Sequence, residues 1–421
     1  MNFTFTQKAR TISLALIVLG VVGAIIGILG DHTDHHQRSW SALLVNAFFF
    51  FGISAGALFF YALQNATETA WSVLVRRVYE AIFGALPIGT IALVVVLLAA
   101  SFHWNHLYHW MDGSLYHEHV IMDGDVARPA AASDPGAVAN PNYDPIIAGK
   151  KAYLNLPFFW IRTIAYLGVF LFFARWFRQQ SLALDELSGE SLVKRHLLVY
   201  RRSALFLVFF AVFSTTLAWD WLMSIDTHWF STLFGWYVFA GMWVSAMVTG
   251  VVVVLYLKRK GYLPQVNNSH IHDMGKWVFA VSFLWSYLYF SQFMLIWYAN
   301  IPEESIYFVQ RIDHHPVLMW GTFFINFAVP MVLLMSRDAK RNPRFLIGVG
   351  AVIFIGHWLD VIMIVMPGTL GHDLHGVGLL ELGLFLAFLG LFINRVFAQL
   401  TQAPLTPVQH PYLEESVHHS I

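Results

Sequence analysis

The sequence predicts an all-α polytopic membrane protein of about ten transmembrane helices, and three observations carry that prediction. Of its 421 residues, 57% are hydrophobic and 12% are charged, against roughly 25% charged in an ordinary soluble domain. The apolar residues, with 37 Phe and 16 Trp among them, are gathered in long uninterrupted runs rather than spread through a soluble core. Lys and Arg alternate between the two sides of those runs, nineteen against five, as the positive-inside rule requires of a spanning chain.

A crossing helix needs about 20 mostly apolar residues, because every backbone N–H and C=O in hydrocarbon has to be paired inside the segment. Ten stretches qualify, at about 11–30, 41–63, 78–102, 153–174, 203–223, 231–257, 275–299, 315–336, 345–366 and 375–398. The first is too long for a signal-peptide core and lacks a small-residue cleavage site, so it reads as a retained span. The even-numbered connections and both termini hold the basic excess, including Arg76, Arg77, Arg175, Arg178, Arg201, Arg202 and Arg395. They are therefore expected on the cytoplasmic side. The opposite side holds only Arg38, Arg128, Lys150, Lys151 and Arg311. Two connections are long. Residues 103–152 are rich in Pro, Gly, Asn and Asp and read as an ordered outer loop; residues 175–202 read as a cytoplasmic excursion with helical character. The tail, 399–421, is expected in the cytoplasm.

Ionisable residues inside spans carry the functional information, since each costs about 2.5–3.5 kcal/mol at a span centre and needs a partner, water or a use. They are Arg162 in span four, Asp220 in span five, His357 and Asp360 in span nine and Glu381 in span ten, with Asn46, Gln292 and Asn326 as polar company. Asp220 stands between Trp219 and Trp221 in "LAWDWLMSIDTHWF". One reading makes it an interfacial residue held in a tryptophan belt or capping the next turn; the other puts it in a polar cavity. In "GHWLDVIMIVMPG", His357 and Asp360 stand at i and i+3 on one helix face, deeper than a cap. Spans five and nine are four apart, both run outward, and each brings a Trp near an Asp. That relation suggests two related four-helix bundles, spans two to five (41–223, with the outer loop 103–152) and six to nine (231–366), plus peripheral spans one (11–30) and ten (375–398).

The chemistry available is narrow. With no cysteine the chain supplies no thiolate-held iron–sulfur cluster, no CxxCH haem attachment and no disulfide. Only one of its 20 histidines, His357, lies well inside a span, which argues against a bis-histidine haem. The run "HWNHLYHW" sets His103, His106 and His109 at helical spacing, read as a partner-covered surface rather than a metal site, and "GHDLH" places His372 and Asp373 above span ten. No nucleotide-binding loop or HExxH motif is present, and net charge is zero, so nothing recruits nucleic acid. A secondary transporter is compatible with ten spans and weak repeats, although Pro87 and Pro330 do not fall in corresponding positions of the two halves.

Ten spans, "WDWLMSIDTHWFSTLFG" after the fifth, "QFMLIWYANIPEE" closing the seventh and "GHWLD" in the ninth together resemble the NrfD-like, polysulfide-reductase-type membrane subunits of bacterial Alternative Complex III, the second large one in particular. The resemblance covers essentially the whole chain. It implies a pair of four-helix bundles in the bacterial inner membrane, within a respiratory quinol:cytochrome c or high-potential-acceptor oxidoreductase. It also implies partners: a paralogous NrfD-like subunit, an iron–sulfur subunit, c-type cytochrome subunits and a terminal cytochrome oxidase, with haem c and iron–sulfur clusters held by those partners and lipid around the spans. Under this resemblance the chain binds no cofactor alone, quinone or quinol is the small molecule at issue, and the chain's share is a proton relay. The relay residues are Asp220, His357, Asp360 and Glu381, with Arg162 as counter-charge and Asp226, His228, His372 and Asp373 leading outward. The competing reading is a scaffold whose polar residues only pair with one another and whose faces dock the paralogue.

Overall fold

Among the described residues, ten helices are long and apolar enough to cross a membrane: Gln7–Leu29, Asp34–Ala66, Arg76–Ser101, Leu156–Leu184, Gly189–Ile225, Leu233–Arg259, Asn268–Ala299, Pro316–Leu333, Pro343–Asp373 and Leu379–Leu400. They coincide in order and nearly in position with the ten apolar runs. The structure, a computed structural model, describes residues 3–123 and 126–420. The expected cytoplasmic excursion is not a separate element. Spans four and five run on as continuous helix beyond the apolar stretch, and only residues 185–188 join them. Helix starts follow local chemistry, as at span seven, where the Asn267 side chain accepts from the amides of Ser269 and His270 and satisfies donors that the first turn leaves free.

Spans two to five close into one four-helix ring and spans six to nine into a second. Span two is the hub. It is buried along almost its whole length, contacts its own ring and packs against spans six, nine and ten. Across the seam, Asn46 of span two accepts a 3.0 Å hydrogen bond from the Trp358 indole of span nine. Spans one and ten pair outside both rings. There Gly20 and Gly383 let the backbones touch, a Cβ at Gly20 falling 2.2 Å from the Ala387 amide and one at Gly383 falling 2.5 Å from that of Ala24. This is the small-residue packing that helices use where lipid supplies no hydrophobic drive.

Span three is broken. Pro87 has no N–H and its ring crowds the carbonyl four residues back, so Arg76–Phe83 and Leu86–Ser101 form separate helices joined at Gly84–Ala85. The freed Gly84 carbonyl accepts from Arg395 Nε at 3.2 Å.

The end of the bundles carrying residues 103–152 has a small antiparallel sheet, order β2-β1-β3, of β1 (His119–Asp123), β2 (Val126–Ala130) and β3 (Val138–Ala139), with His119 opposite both Ala130 and Ala139. His103, His106 and His109 stand at helical spacing in the sequence but lie in the loop expected over 103–152, not on an α-helix. Span three stops at Ser101, His103 takes a left-handed φ of 58°, and only a 3-10 turn follows at His109–Met111. The opposite, basic end is closed by the tail, which folds back on the bundles. There Ser416 donates to the Trp71 carbonyl at 3.1 Å, and His419 meets Asp273 at 2.6 Å.

Candidate functional site

The two intramembrane aspartates occupy opposite environments. Asp220 is completely buried and both its carboxylate oxygens are bonded: Oδ1 accepts from Arg162 Nη2 at 2.8 Å, Oδ2 from Arg162 Nε at 2.8 Å and from the Tyr166 hydroxyl at 2.9 Å. The Arg162 guanidinium lies between the rings of Tyr153 and Phe158, 3.9 and 4.2 Å from their centroids, and donates to the Tyr153 carbonyl at 3.1 Å. A bidentate, aromatic-stacked arginine is the strong form of such a pair. The tryptophan-belt reading is therefore corrected. Trp221 faces the bundle interior, fully buried, with its indole on Thr163 at 3.1 Å. The aspartate points inward because Arg162 is there to receive it.

Asp360 has no such cation. Its Oδ1 accepts from the Tyr237 hydroxyl and its Oδ2 from the Trp285 indole at 3.1 Å, both neutral donors. His357 Nδ1 stands 4.0 Å from Oδ2, beyond hydrogen-bond range, and neither nitrogen of this buried imidazole has a protein partner. Beside them, between spans two, six and nine, lies a cavity of about 20 Å³ lined by His357, Asp360, Gly241, Ser245, Phe49 and Met242, room for one water molecule. Further polar atoms without partners belong to the same bundle: Ser282 Oγ, Thr322 Oγ1 and both side-chain atoms of Asn326. On span six, Ser245 and then Thr249 continue toward the basic end. Unpaired polar groups buried together in one bundle are costly unless water or a moving proton uses them.

About 10 Å along span nine from Asp360, a larger cavity of about 310 Å³ opens at the sheet-bearing end, between the two bundles. Asp226, His228 and His372 line it, joined by His109, His314 and His315. Behind its lining residues Asp226 and Tyr307 lies Arg311, buried and stacked on the Tyr307 ring at 3.4 Å. Arg311 donates to Asp226 Oδ2 at 3.0 Å and to the carbonyls of Met363 at 3.2 Å and Ile364 at 3.1 Å. Pro367 explains part of this, because it has no N–H to offer the Met363 carbonyl four residues back. Gly368 explains the rest: a Cβ there would lie 2.8 Å from Asp226 Oδ1. Sequence reading counted Arg311 only as an outer-loop charge; the signal was Pro367 inside span nine, which leaves a carbonyl needing an outside donor. Tyr237 and Trp285, the partners of Asp360, were also missed, since aromatic residues are common throughout these spans.

Around the cavity rim, His228 contacts Asp144 at 2.5 Å. Burial works against the charged form of Asp144, but the amides of Ile147 and Ile146 and the His228 imidazole outweigh it and hold its carboxyl below the usual carboxylate range. Burial, with the charges of His314, Arg311 and His372, keeps His315 below the usual imidazole range despite its bond to the Gly371 carbonyl. Among the described residues, no group of three or more His, Cys, Asp or Glu side chains is placed to hold a metal ion.

Two expected relay residues lie apart from this set. Glu381 falls in the first turn of span ten, where it accepts from the Gly378 amide at 2.6 Å and pairs with Arg38 at 2.8 Å. It caps a helix and ties it to span two, because the helix begins at Leu379 rather than deeper in the loop. Asp373 is exposed and does not line the cavity. The chain matches no protein-family model and no curated protein.

Proposed function

We propose that this chain is a membrane subunit of a quinol:cytochrome c or high-potential-acceptor oxidoreductase in the bacterial inner membrane, where it carries protons toward the outer surface and contributes to quinone binding. The observation that supports this best is Asp360: a buried carboxylate with no cation, beside an unpartnered histidine and a water-sized cavity, beneath a histidine-lined opening. Oxidising a quinol releases two protons. A carboxylate held by neutral donors can take one up and pass it on, whereas the Asp220 carboxylate is committed to the guanidinium of Arg162 through both oxygens.

In this reading Asp360 and His357 exchange the proton through the cavity water. Between Tyr237, hydrogen-bonded to Asp360, and the Arg311–Asp226 pair stand the rings of Phe234, Trp229 and Tyr307; the Phe234 and Trp229 rings relay no proton, so the proton crosses this stretch on water. The histidines of the outer cavity then receive the proton and hand it to bulk water. A quinone tail finds an apolar groove of about 310 Å³ between spans six, nine and ten, lined by Phe354, Phe385 and Phe392. Phe49 stands between that groove and the His357 cavity, its ring 5.1 Å from Phe354. The positive-inside count supports both termini in the cytoplasm, and the absence of cysteine supports electron carriers in partner chains: an iron–sulfur subunit, c-type cytochromes and a paralogous membrane subunit.

The scaffold reading has support of its own in the first bundle, where the Asp220–Arg162 pair holds spans four and five together. One experiment separates the two. In the assembled complex, Asp360→Asn is expected to leave subunit stoichiometry intact and lower quinol oxidation and proton release by about 10²–10⁴-fold, the range for loss of a positioned proton carrier. Full turnover with normal proton release in Asp360→Asn removes the relay reading and leaves a scaffold.

A further inference from the structure

At the basic end, a cavity of about 520 Å³ opens between spans three, four and ten, with Arg175, Arg178, Arg395, Gln399 and Glu80 on its polar side. Its one carboxylate is already committed. Glu80 is completely buried, with Arg178 at 2.6 Å, Arg76 at 3.4 Å, Arg77 at 3.6 Å and the Ser181 hydroxyl at 2.5 Å. The other two arginines have no anion. Arg175 is exposed and makes no ion pair among the described residues, and Arg395 donates only to the Gly84 carbonyl that the break in span three sets free. The remaining wall is apolar, with Phe83, Leu86, Pro87, Leu171 and Ala174.

From Pro87 an apolar stripe climbs the lipid-facing side of span three. Ile91, Val95 and Leu98 follow at helical spacing, 65%, 48% and 40% exposed. Guanidiniums without an anion at the foot of an acyl-length apolar stripe, at the basic end of the spans, match one chemistry. We infer that this cavity binds an anionic phospholipid, its phosphate between Arg175 and Arg395 and an acyl chain along Ile91, Val95 and Leu98. The lipid fills a wedge that the break at Pro87 opens between the first bundle and span ten.

The test uses the full chain in phosphatidylcholine nanodiscs containing a graded fraction of phosphatidylglycerol, with co-purified lipid counted by native mass spectrometry. Wild-type protein is expected to retain phosphatidylglycerol over phosphatidylcholine. The Arg175→Gln/Arg395→Gln variant should lose about 30-fold in that preference, from roughly fivefold per arginine near an anionic surface. Arg201→Gln/Arg202→Gln, which removes exposed charge on span five away from the cavity, should leave it unchanged. Equal retention of the two lipids by wild type, an unchanged preference in the cavity variant, or an equal loss in the span-five variant would each overturn the site. Competition by millimolar inorganic phosphate as effective as added phosphatidylglycerol would overturn the lipid as its source and make the ligand a soluble anion.

Discussion

Removing the Arg162 side chain beyond its stem, as Arg162→Met, strands the Asp220 carboxylate in a fully buried position. Breaking one partner of a buried pair costs about 3–5 kcal/mol. The loss of contact between the guanidinium and the rings of Tyr153 and Phe158, at 3.9 and 4.2 Å, adds about 1 kcal/mol. The expected destabilisation of the single variant is therefore about 4–6 kcal/mol. The double variant Arg162→Met/Asp220→Leu removes both charges together and should recover at least about 2 kcal/mol relative to the sum of the single variants, since partners in one network do not add. The assay is reversible unfolding of the purified chain in mixed detergent micelles with increasing denaturing detergent, run on all four members of the cycle. A single-variant loss below about 1 kcal/mol, or a double variant equal to the sum, would refute the assignment of Asp220 as a closed structural pair.

Three further outcomes follow from the geometry. Gly241 faces the small cavity, its Cβ position 3.6 Å from His357 Nδ1 and 3.7 Å from Asp360 Oδ2, so Gly241→Val should expel the water, keep assembly and lower proton release at least tenfold, as loss of a positioned relay does; unchanged release measured with a pH dye would show that no proton uses this route. Glu381→Gln should cost about 2 kcal/mol of stability, the value of charge-assisted bonds to Arg38 and the Gly378 amide, while leaving turnover at the wild-type level; a turnover loss without a stability loss would return Glu381 to the relay. In the tail, burial, with the charges of Arg76, His196 and Arg77, pushes His410 down to about 2, so it stays neutral when docked and protonates readily when released. The docking energy it contributes is present above about pH 6.5 and is lost as pH falls below it, by up to about tenfold per unit. A spin label at position 415 should therefore loosen between pH 7.5 and 5.5, and His410→Asn should abolish that response; a label equally mobile at both pH values would contradict it.

The intramembrane polar residues were legible individually but not in their pairings. Asp220 and Asp360 look alike in sequence, each near a tryptophan toward the outer end of a span, and the reading of two matching carboxylates rested on that likeness. Their difference lies in what faces them. Arg162 is 58 residues from Asp220 in the chain, whereas Tyr237 and Trp285 are 123 and 75 residues from Asp360; no periodicity within one helix reports such distances. Glu381 was misplaced because hydropathy locates a span only to within a few residues, and those few residues separate an interior carboxylate from a helix cap.

Sequence alone determined the number of spans and their order, because a bilayer leaves backbone polar groups no partner outside the helix and so writes each crossing as a run of apolar residues. It also determined what this chain cannot carry, since a chain without cysteine supplies no thiolate ligand. Tertiary structure alone decided which aspartate is closed by an arginine and which stands open beside a histidine, where Asp226, His228 and His372 converge, and that Arg311 ties Asp226 to the end of span nine. Those outcomes depend on the rotation of each helix about its own axis, which is fixed by side chains meeting across helices: Gly368 making room for Asp226, and Pro367 leaving a carbonyl for Arg311.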